Sequence, residues 1–343
     1  MAKRARILVL TDDERNHRHA RRLVDTGVLP LRGPWLLGPA DLESLAVSPD
    51  LVVALGPSAV LPAARLRERL GLPGPRPADV FPLLDREVMH HRARAAGLLT
   101  TRRVSAIGVR NWDFRVPLAV RSDGEVRKVT AAADLPTGEA RYEAWVDADV
   151  CHVDGVVVGG RVVFAVASRY LRTRHDFATG SGMGGITLDG PEADPLLAAA
   201  AAAVSRLGVP DGAFHVELFD TRPVPVLLAV APHPPPALQR ATVQAATGVD
   251  LLAEHIRAGV GQPTFPRRTR GGVAGYWRVP PEKAPRPRPA LPAVHSAVVL
   301  ADLPGPDRHA PTEVVVRGDH APVVLTDLIA LRERLDESVS PRS

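Results

Sequence analysis

Apolar positions along the chain fall in short blocks, and their spacing changes from continuous to helical to alternating. Residues 6–12, RILVLTD, are an apolar run with polar ends, the pattern of a strand buried on both faces. Residues 51–56, LVVALG, repeat it before a Gly-Pro turn. A helical stretch around residues 17–24 lies between them, so strand, helix and strand predict a small α/β unit with a parallel sheet. Residues 61–71, LPAARLRERLG, have amphipathic spacing and stop at Gly71. After the Pro-Gly-rich residues 72–80, Asp85 is placed to cap a helix, DREVMHHRARAAG, that ends at Gly97. His90 and His91 are neighbours on that helix, about 100° apart around its axis, which reads as a solvated face and not a metal pair.

Alternation takes over next. Residues 116–132 predict a hairpin with Asp123-Gly124 as a two-residue turn, and residues 142–171 predict a second hairpin around Gly159-Gly160. The glycine-rich residues 179–185, TGSGMGG, have the wrong spacing for a dinucleotide fingerprint and precede a β-like ITLDG, so they read as a flexible loop. A helix starting at Asp194-Pro195 and stopping at Gly208 leads into a third hairpin, FHVELFDTRPVPVLLAVAPHPPP, over residues 214–236. Residues 247–261 form an amphipathic helix, and the remainder is proline-rich, with residues 280–292 an extended loop and a closing helix over residues 326–337.

Composition narrows the classes. The 343 residues, 45% hydrophobic and 24% charged, can bury substantial cores in two or three lobes. The longest apolar run, residues 196–204, is short and rich in alanine, and the basic start leads into a strand, so neither a membrane span nor a signal peptide is expected. A single cysteine, Cys151, excludes an intramolecular disulfide and a cysteine-based zinc site, in keeping with a reducing, cytoplasmic setting. The net charge of +5 is scattered among acidic residues and aromatics are few, which argues against nucleic-acid binding. Lys3, Lys128 and Lys283 are the only lysines, so chemistry that needs a lysine in the middle of the chain has Lys128 alone.

The order of these pieces resembles the ATP-grasp superfamily and, within it, the carboxylate–amine ligases of the L-amino acid ligase type. The matching stretches are LLDREVMHHRARAAGLLTTR, YEAWVDADVCHVDGVVVGGRVVFAVASRYL, and GVPDGAFHVELFDT with TGVDLLAEHIRAGVG, together covering most of residues 7–261. The resemblance implies an α/β (α+β) ATP-grasp fold with a Rossmann-like lobe over residues 1–78. A small nucleotide-covering lobe would take residues 79–149. The catalytic lobe would take residues 150–343, with an antiparallel sheet and a proline-rich β extension from about residue 262. It also implies a reaction in which ATP and Mg²⁺ activate a small carboxylate as an acyl phosphate that a small amine attacks. A homodimer is the oligomer to test, since dimers are common among relatives.

Residue by residue, the resemblance places Tyr142 to Asp149 at the adenine hinge. Glu143, Ala144, Trp145 and Val146 would line the base, and Asp149 would meet the ribose; without the resemblance the two acids are exposed hairpin carboxylates. The family's phosphate-clamping lysines are replaced by Arg86 and Arg121, with Lys128 on the returning strand, and the long glycine-rich loop shrinks to the Asp123-Gly124 turn. Glu217 matches one magnesium-binding carboxylate. On the next strand the family's glutamate, second polar ligand and arginine are replaced by Ala229, Ala231 and His233. Alanine offers no ligand atom, and neutral His233 substitutes for arginine only if its pKa is raised. His152, Asp154 and Arg169 either face a substrate or form the wet side of a hairpin, and His215 shares a strand face with Glu217. Three functions stay open: a ligase; a degenerate homologue that binds a small molecule or partner without phosphoryl transfer; and altered chemistry in the retained pocket using His152, His215 and His233.

Overall fold

A computed structural model describes residues 6–29, 35–38, 42, 48–122, 125–173, 182–263, 265–279, 297–299 and 312–337. β1 (Ile7–Leu10), α1 (Glu14–Asp25), β2 (Trp35–Leu37), β3 (Leu51–Ala54) and α2 (Pro57–Leu70) build a parallel sheet in the order β2-β1-β3. The two predicted strands pair directly, and β2 adds an edge that the hydrophobic pattern did not single out. Ile7, Val9 and Val53 pack on Leu23 of α1 and on Leu252 and Ile256, whereas Leu8, Leu10 and Val52 pack on α2. Both faces are covered, which is why the strands are apolar throughout.

α3 (Pro77–Leu84) and α4 (Arg86–Ala95) follow, and Asp85 caps α4 by accepting from the Glu87 and Val88 amides. β4 (Arg103–Val104), α5 (Ala106–Val109), β5 (Leu118–Ser122), β6 (Glu125–Val129) and β7 (Arg141–Ala144) form an antiparallel sheet in the order β4-β7-β5-β6. The predicted hairpin is β5–β6, closing at Ser122 and Glu125; its Asp123-Gly124 tip lies outside the described residues. Leu118, Val120 and Val129 form the core on one face of this sheet. The pairing Lys128–Ala119–Glu143 puts these residues, with Arg121 two along from Ala119, on the other.

The largest sheet contains β8 (Val150–Val158), β9 (Arg161–Arg172), β10 (Met183–Thr187), β11 (Gly212–Phe219), β12 (Val226–Ala231), β13 (Val273–Val279), β14 (Ala297–Val299) and β15 (Thr312–Gly318). Its order is β12-β11-β8-β9-β10-β13-β15-β14, antiparallel throughout. α6 (Gly190–Leu207) packs Leu196, Ala200, Ala203 and Val204 against Cys151, Val153, Val216 and Leu218 on one face. α7 (Ala237–Thr247) and α8 (Leu251–Gly259) bring Val243 and Leu251 onto Val156, Val166 and Ala213 on the other. α9 (Ala321–Glu337) packs on β13 and β15. The late strands β13 to β15 continue the main sheet, and the predicted loop over residues 280–292 lies outside the described residues.

One expectation is overturned. Residues 179–181 lie outside the described residues, but Met183, Gly184 and Gly185 belong to β10, buried and paired on both edges. A Cβ at Gly184 would lie 2.2 Å from the Trp277 ring, and one at Gly185 would lie 2.8 Å from the Tyr276 ring. The glycines make room for aromatic side chains of β13; they do not supply a flexible lid.

Candidate active site

β8 and β11 alternate apolar and polar residues, and the apolar set faces α6. The polar set therefore collects on the opposite face. Glu217 pairs with His152 across the strands and His215 pairs with Asp154; on its other side β11 meets β12, where Glu217 faces Ala229 and His215 faces Ala231. Beside Glu217 and His215, β8 thus carries polar residues and β12 carries alanines.

These side chains are not a wet hairpin face. His152 and Asp154 are buried, and His215 nearly so, beneath a face that α7 partly covers. Asp154 receives both imidazoles at once: Oδ2 is 2.7 Å from His152 Nδ1, and Oδ1 is 2.7 Å from His215 Nδ1. His215 Nε2 lies 3.6 Å from Glu217 Oε1, and the Tyr170 hydroxyl donates to the same oxygen at 3.2 Å. Gln239 of α7 in turn donates to the Tyr170 hydroxyl at 2.8 Å. Tyr170 and Gln239 were not among the expected site residues. Tyr170 carries a readable signal, since it is two residues after Ser168, which pairs with His152 and so shares its face.

The histidines divide into two kinds. Burial opposes charge on His215, but Asp154 and Glu217 outweigh it and raise its pKa to about 10. Burial likewise opposes charge on Asp154, yet the two imidazoles hold its pKa well below the ordinary carboxylate range. His233 goes the other way: burial lowers its pKa to about 4, and its Nδ1 lies 2.9 Å from the Pro234 carbonyl, to which it donates. The condition under which His233 could stand in for the family arginine, a raised pKa, is not met. The imidazolium of this face is His215.

His255 is also neutral. It donates from Nε2 to the Ala54 carbonyl at 2.8 Å and accepts the Ala213 amide at Nδ1 at 3.0 Å, while burial lowers its pKa to about 4. A pH dependence follows from these opposite shifts. His215 stabilises the fold fully below its ordinary value of 6.5, and this contribution is lost as pH rises towards about 10. His233 and His255 stabilise it above 6.5, and their contribution is lost as pH falls towards about 4. Melting temperature should be highest near pH 6.5 among these titrations, and His215→Gln should remove the alkaline fall while leaving the acid one.

The nucleotide-side residues converge more loosely. Arg86 donates to both oxygens of buried Glu143 at 3.2 Å, Thr101 donates to Oε2 at 2.7 Å, and Arg121 lies 3.9 Å from Oε1. Burial raises the Glu143 pKa, but these partners bring it down to about 2. Glu143 is thus a buried ion-pair anchor and not an exposed carboxylate. Arg121 also feels Glu217. The Lys128 amine sits 4.8 Å from the Trp145 ring centre, a cation–π contact. At the hinge, the Ala144 and Trp145 amides already donate to the Arg102 and Pro117 carbonyls at 2.8 Å.

The solvated His90 is a further expectation corrected, and Arg169 is placed apart from His152 and Asp154. Arg169 pairs across β8 with Cys151, so it lies on the α6 side, where it reaches Asp149 at 3.8 Å and Glu192 at 3.6 Å; it does not face Glu217. His90 is buried, not solvated: its Nε2 contacts the Leu228 carbonyl at 3.0 Å, because α4 packs on β12. His91 is exposed, as expected.

Magnesium fits this site poorly. A hard ion of small radius needs several oxygen ligands in near-octahedral order. Across β12 Glu217 meets only Ala229, and Asp154 is held between two imidazoles. No reaction step can be derived through a family-type magnesium pair from these residues.

Between α1 and α7 lies a cavity of about 600 Å³ whose lining includes Arg15, Arg18, Arg22, Arg240 and Arg270 beside Asp250 and Glu313. Arg240 is buried and donates to the Pro235 carbonyl at 2.6 Å and to Asn16 at 2.7 Å; its Nε has no partner among the described residues. The proline run therefore ends at an arginine inside the molecule, something proline composition could not foretell.

No protein-family model matches the chain, and no curated protein matches its sequence. Solved structures do match its fold. An L-amino acid ligase from Bacillus licheniformis aligns over 98% of both chains at 15% identity with a TM-score of 0.68. An N5-carboxyaminoimidazole ribonucleotide synthetase from Thermus thermophilus covers 96% of this chain and 98% of its own, at 17% identity and a TM-score of 0.71. A carboxyaminoimidazole ribonucleotide synthase from Aspergillus clavatus, complexed with ATP, covers 98% and 99% at 14% identity and a TM-score of 0.73. The chain has the ATP-grasp fold over nearly its whole length. No helix among the described residues is long and apolar enough to cross a membrane.

Proposed function

We propose that the chain is a carboxylate–amine ligase of the ATP-grasp kind, acting on small anionic substrates with a site that meets phosphate charge by arginines. The observation that carries this reading is the match of the fold to an L-amino acid ligase over 98% of both chains, with Arg121, Glu143 and Lys128 gathered on one sheet face. In the reaction, a substrate carboxylate oxygen takes the terminal phosphoryl group of ATP, ADP leaves, and an amine displaces phosphate to form an amide. Arg86, Arg121 and Lys128 supply positive charge near the transferring group. The arginine-lined cavity suits a carboxylate or other anion of the substrate. The ATP complex of a protein with this fold supports the nucleotide, and the fold of an L-amino acid ligase supports the substrate class. A cytoplasmic, homodimeric protein remains part of this reading.

Calorimetric titration with ATP tests it. Wild type should bind, and Arg121→Ala should weaken binding about tenfold or more, consistent with about 1.5–3 kcal/mol for a hydrogen bond to a charged group. Equal affinity in the two proteins would refute the role given to Arg121. A second reading, nucleotide or small-molecule binding without phosphoryl transfer, is favoured by the Ala229 and Ala231 positions opposite Glu217 and His215. It predicts binding in the same titration but no ADP release.

A further inference from the structure

We propose that His152, Asp154 and His215 hold a divalent transition-metal ion of the zinc class, in place of the magnesium pair that this strand face does not provide. Three donor groups, one from each residue, lie within 4.8 Å of one another and are buried. Their chemistry is specific: two imidazoles and one carboxylate favour zinc, cobalt or nickel over magnesium, which prefers oxygen.

The donors are within reach of such an ion. Bonds of about 2.0–2.2 Å at tetrahedral angles set neighbouring donors roughly 3.3–3.6 Å apart; the two Nδ1 to carboxylate distances are 2.7 Å and all three donors lie within 4.8 Å of one another. An ion entering between them replaces two hydrogen-bond protons, and the donors shift by roughly 1 Å to reach those spacings. The support behind the donors is also in place. Glu217 stands 3.6 Å from the outer nitrogen of His215, and Tyr170 and Gln239 hold Glu217 in turn. A carboxylate behind a ligating histidine fixes its ring and tautomer.

When Nδ1 ligates, the Nε2 atom of His152 stays on the other side of the ring, buried, with the Tyr170 ring against the imidazole at a centroid distance of 4.8 Å. Strand register also groups the donors. Across β11, one side offers alanines at both positions and the other offers His152 and Asp154.

The test uses the full chain purified without a histidine tag and then stripped of metal. Cobalt(II) added stepwise should produce visible d–d absorption that saturates at one equivalent, disappears on zinc addition, and accompanies a rise in melting temperature. His152→Gln and His215→Gln should each weaken cobalt binding by more than the roughly 10–100-fold typical of an outer-shell change. His233→Gln, a buried histidine outside the cluster, should bind as wild type. Absence of the absorption and of the thermal shift in the wild type would overturn the proposal whatever the variants do, and so would unchanged affinity in folded His152→Gln. Neither ATP nor turnover enters this assay, so its outcome is separate from that of the ligase reading.

Discussion

Asp154→Ala is expected to destabilise the protein by about 3–5 kcal/mol, the range for removing one partner of a buried ion pair. Asp154 is wholly buried and holds two imidazoles at 2.7 Å, one of which, His215, carries a proton in the fold. Alanine leaves that imidazolium with Glu217 at 3.6 Å as its remaining acidic neighbour. It also removes the acceptor of the His152 Nδ1 proton, whose other nitrogen already lacks a partner among the described residues. Urea unfolding at pH 6.5 should show a lower midpoint with an unchanged slope. The loss should shrink at alkaline pH, because His215 no longer needs a counter-charge once it gives up its proton near 10. A loss below about 1 kcal/mol would mean that the network is weakly formed.

The second large effect concerns turnover. Glu217→Gln should lower ADP release about 100-fold, the scale on which lost positioning acts, because Glu217 orients His215 and the Tyr170 hydroxyl. Glutamine keeps the length and can still accept from Tyr170, so stability should change much less than in Asp154→Ala. It removes the charge that lies 3.6 Å from His215. Equal rates in the two proteins would place the chemistry elsewhere.

Much of the fold is legible in the sequence. Continuous apolar runs mark β1 and β3 because both of their faces are covered, and turn residues mark the β5–β6 and β8–β9 hairpins. The positive φ values of 59° and 71° at Gly159 and Gly160 are what that tight turn demands. Alternation also places His215 and Glu217 together on one face. What alternation cannot carry is the identity of the element that covers a face. His152 and Asp154 read equally well as a solvated edge, because the helices packed on their face, α7 and α8, come later in the chain. His90 reads as solvated for the same reason, since its partner is the Leu228 carbonyl of another element. The glycines of β10 look like a flexible loop because their reason for being glycine, the rings of Tyr276 and Trp277, lies far along the chain.

The family resemblance locates the missing ligands at Ala229 and Ala231 but says nothing of their replacement. That information resides in register. Only the pairing of β11 with β8 shows that the strand beside Glu217 carries His152 and Asp154 in the matching rows. His233 stands out by position in sequence, yet the fold buries it against the proline run and keeps it neutral.

The most direct measurement is ADP release by the full chain given ATP and pools of amino acids and small carboxylic acids, with divalent ions varied. Release should need both a carboxylate and an amine, and it should fall in Glu217→Gln. No release from any pool, together with no thermal shift on adding ATP, would contradict the ligase assignment.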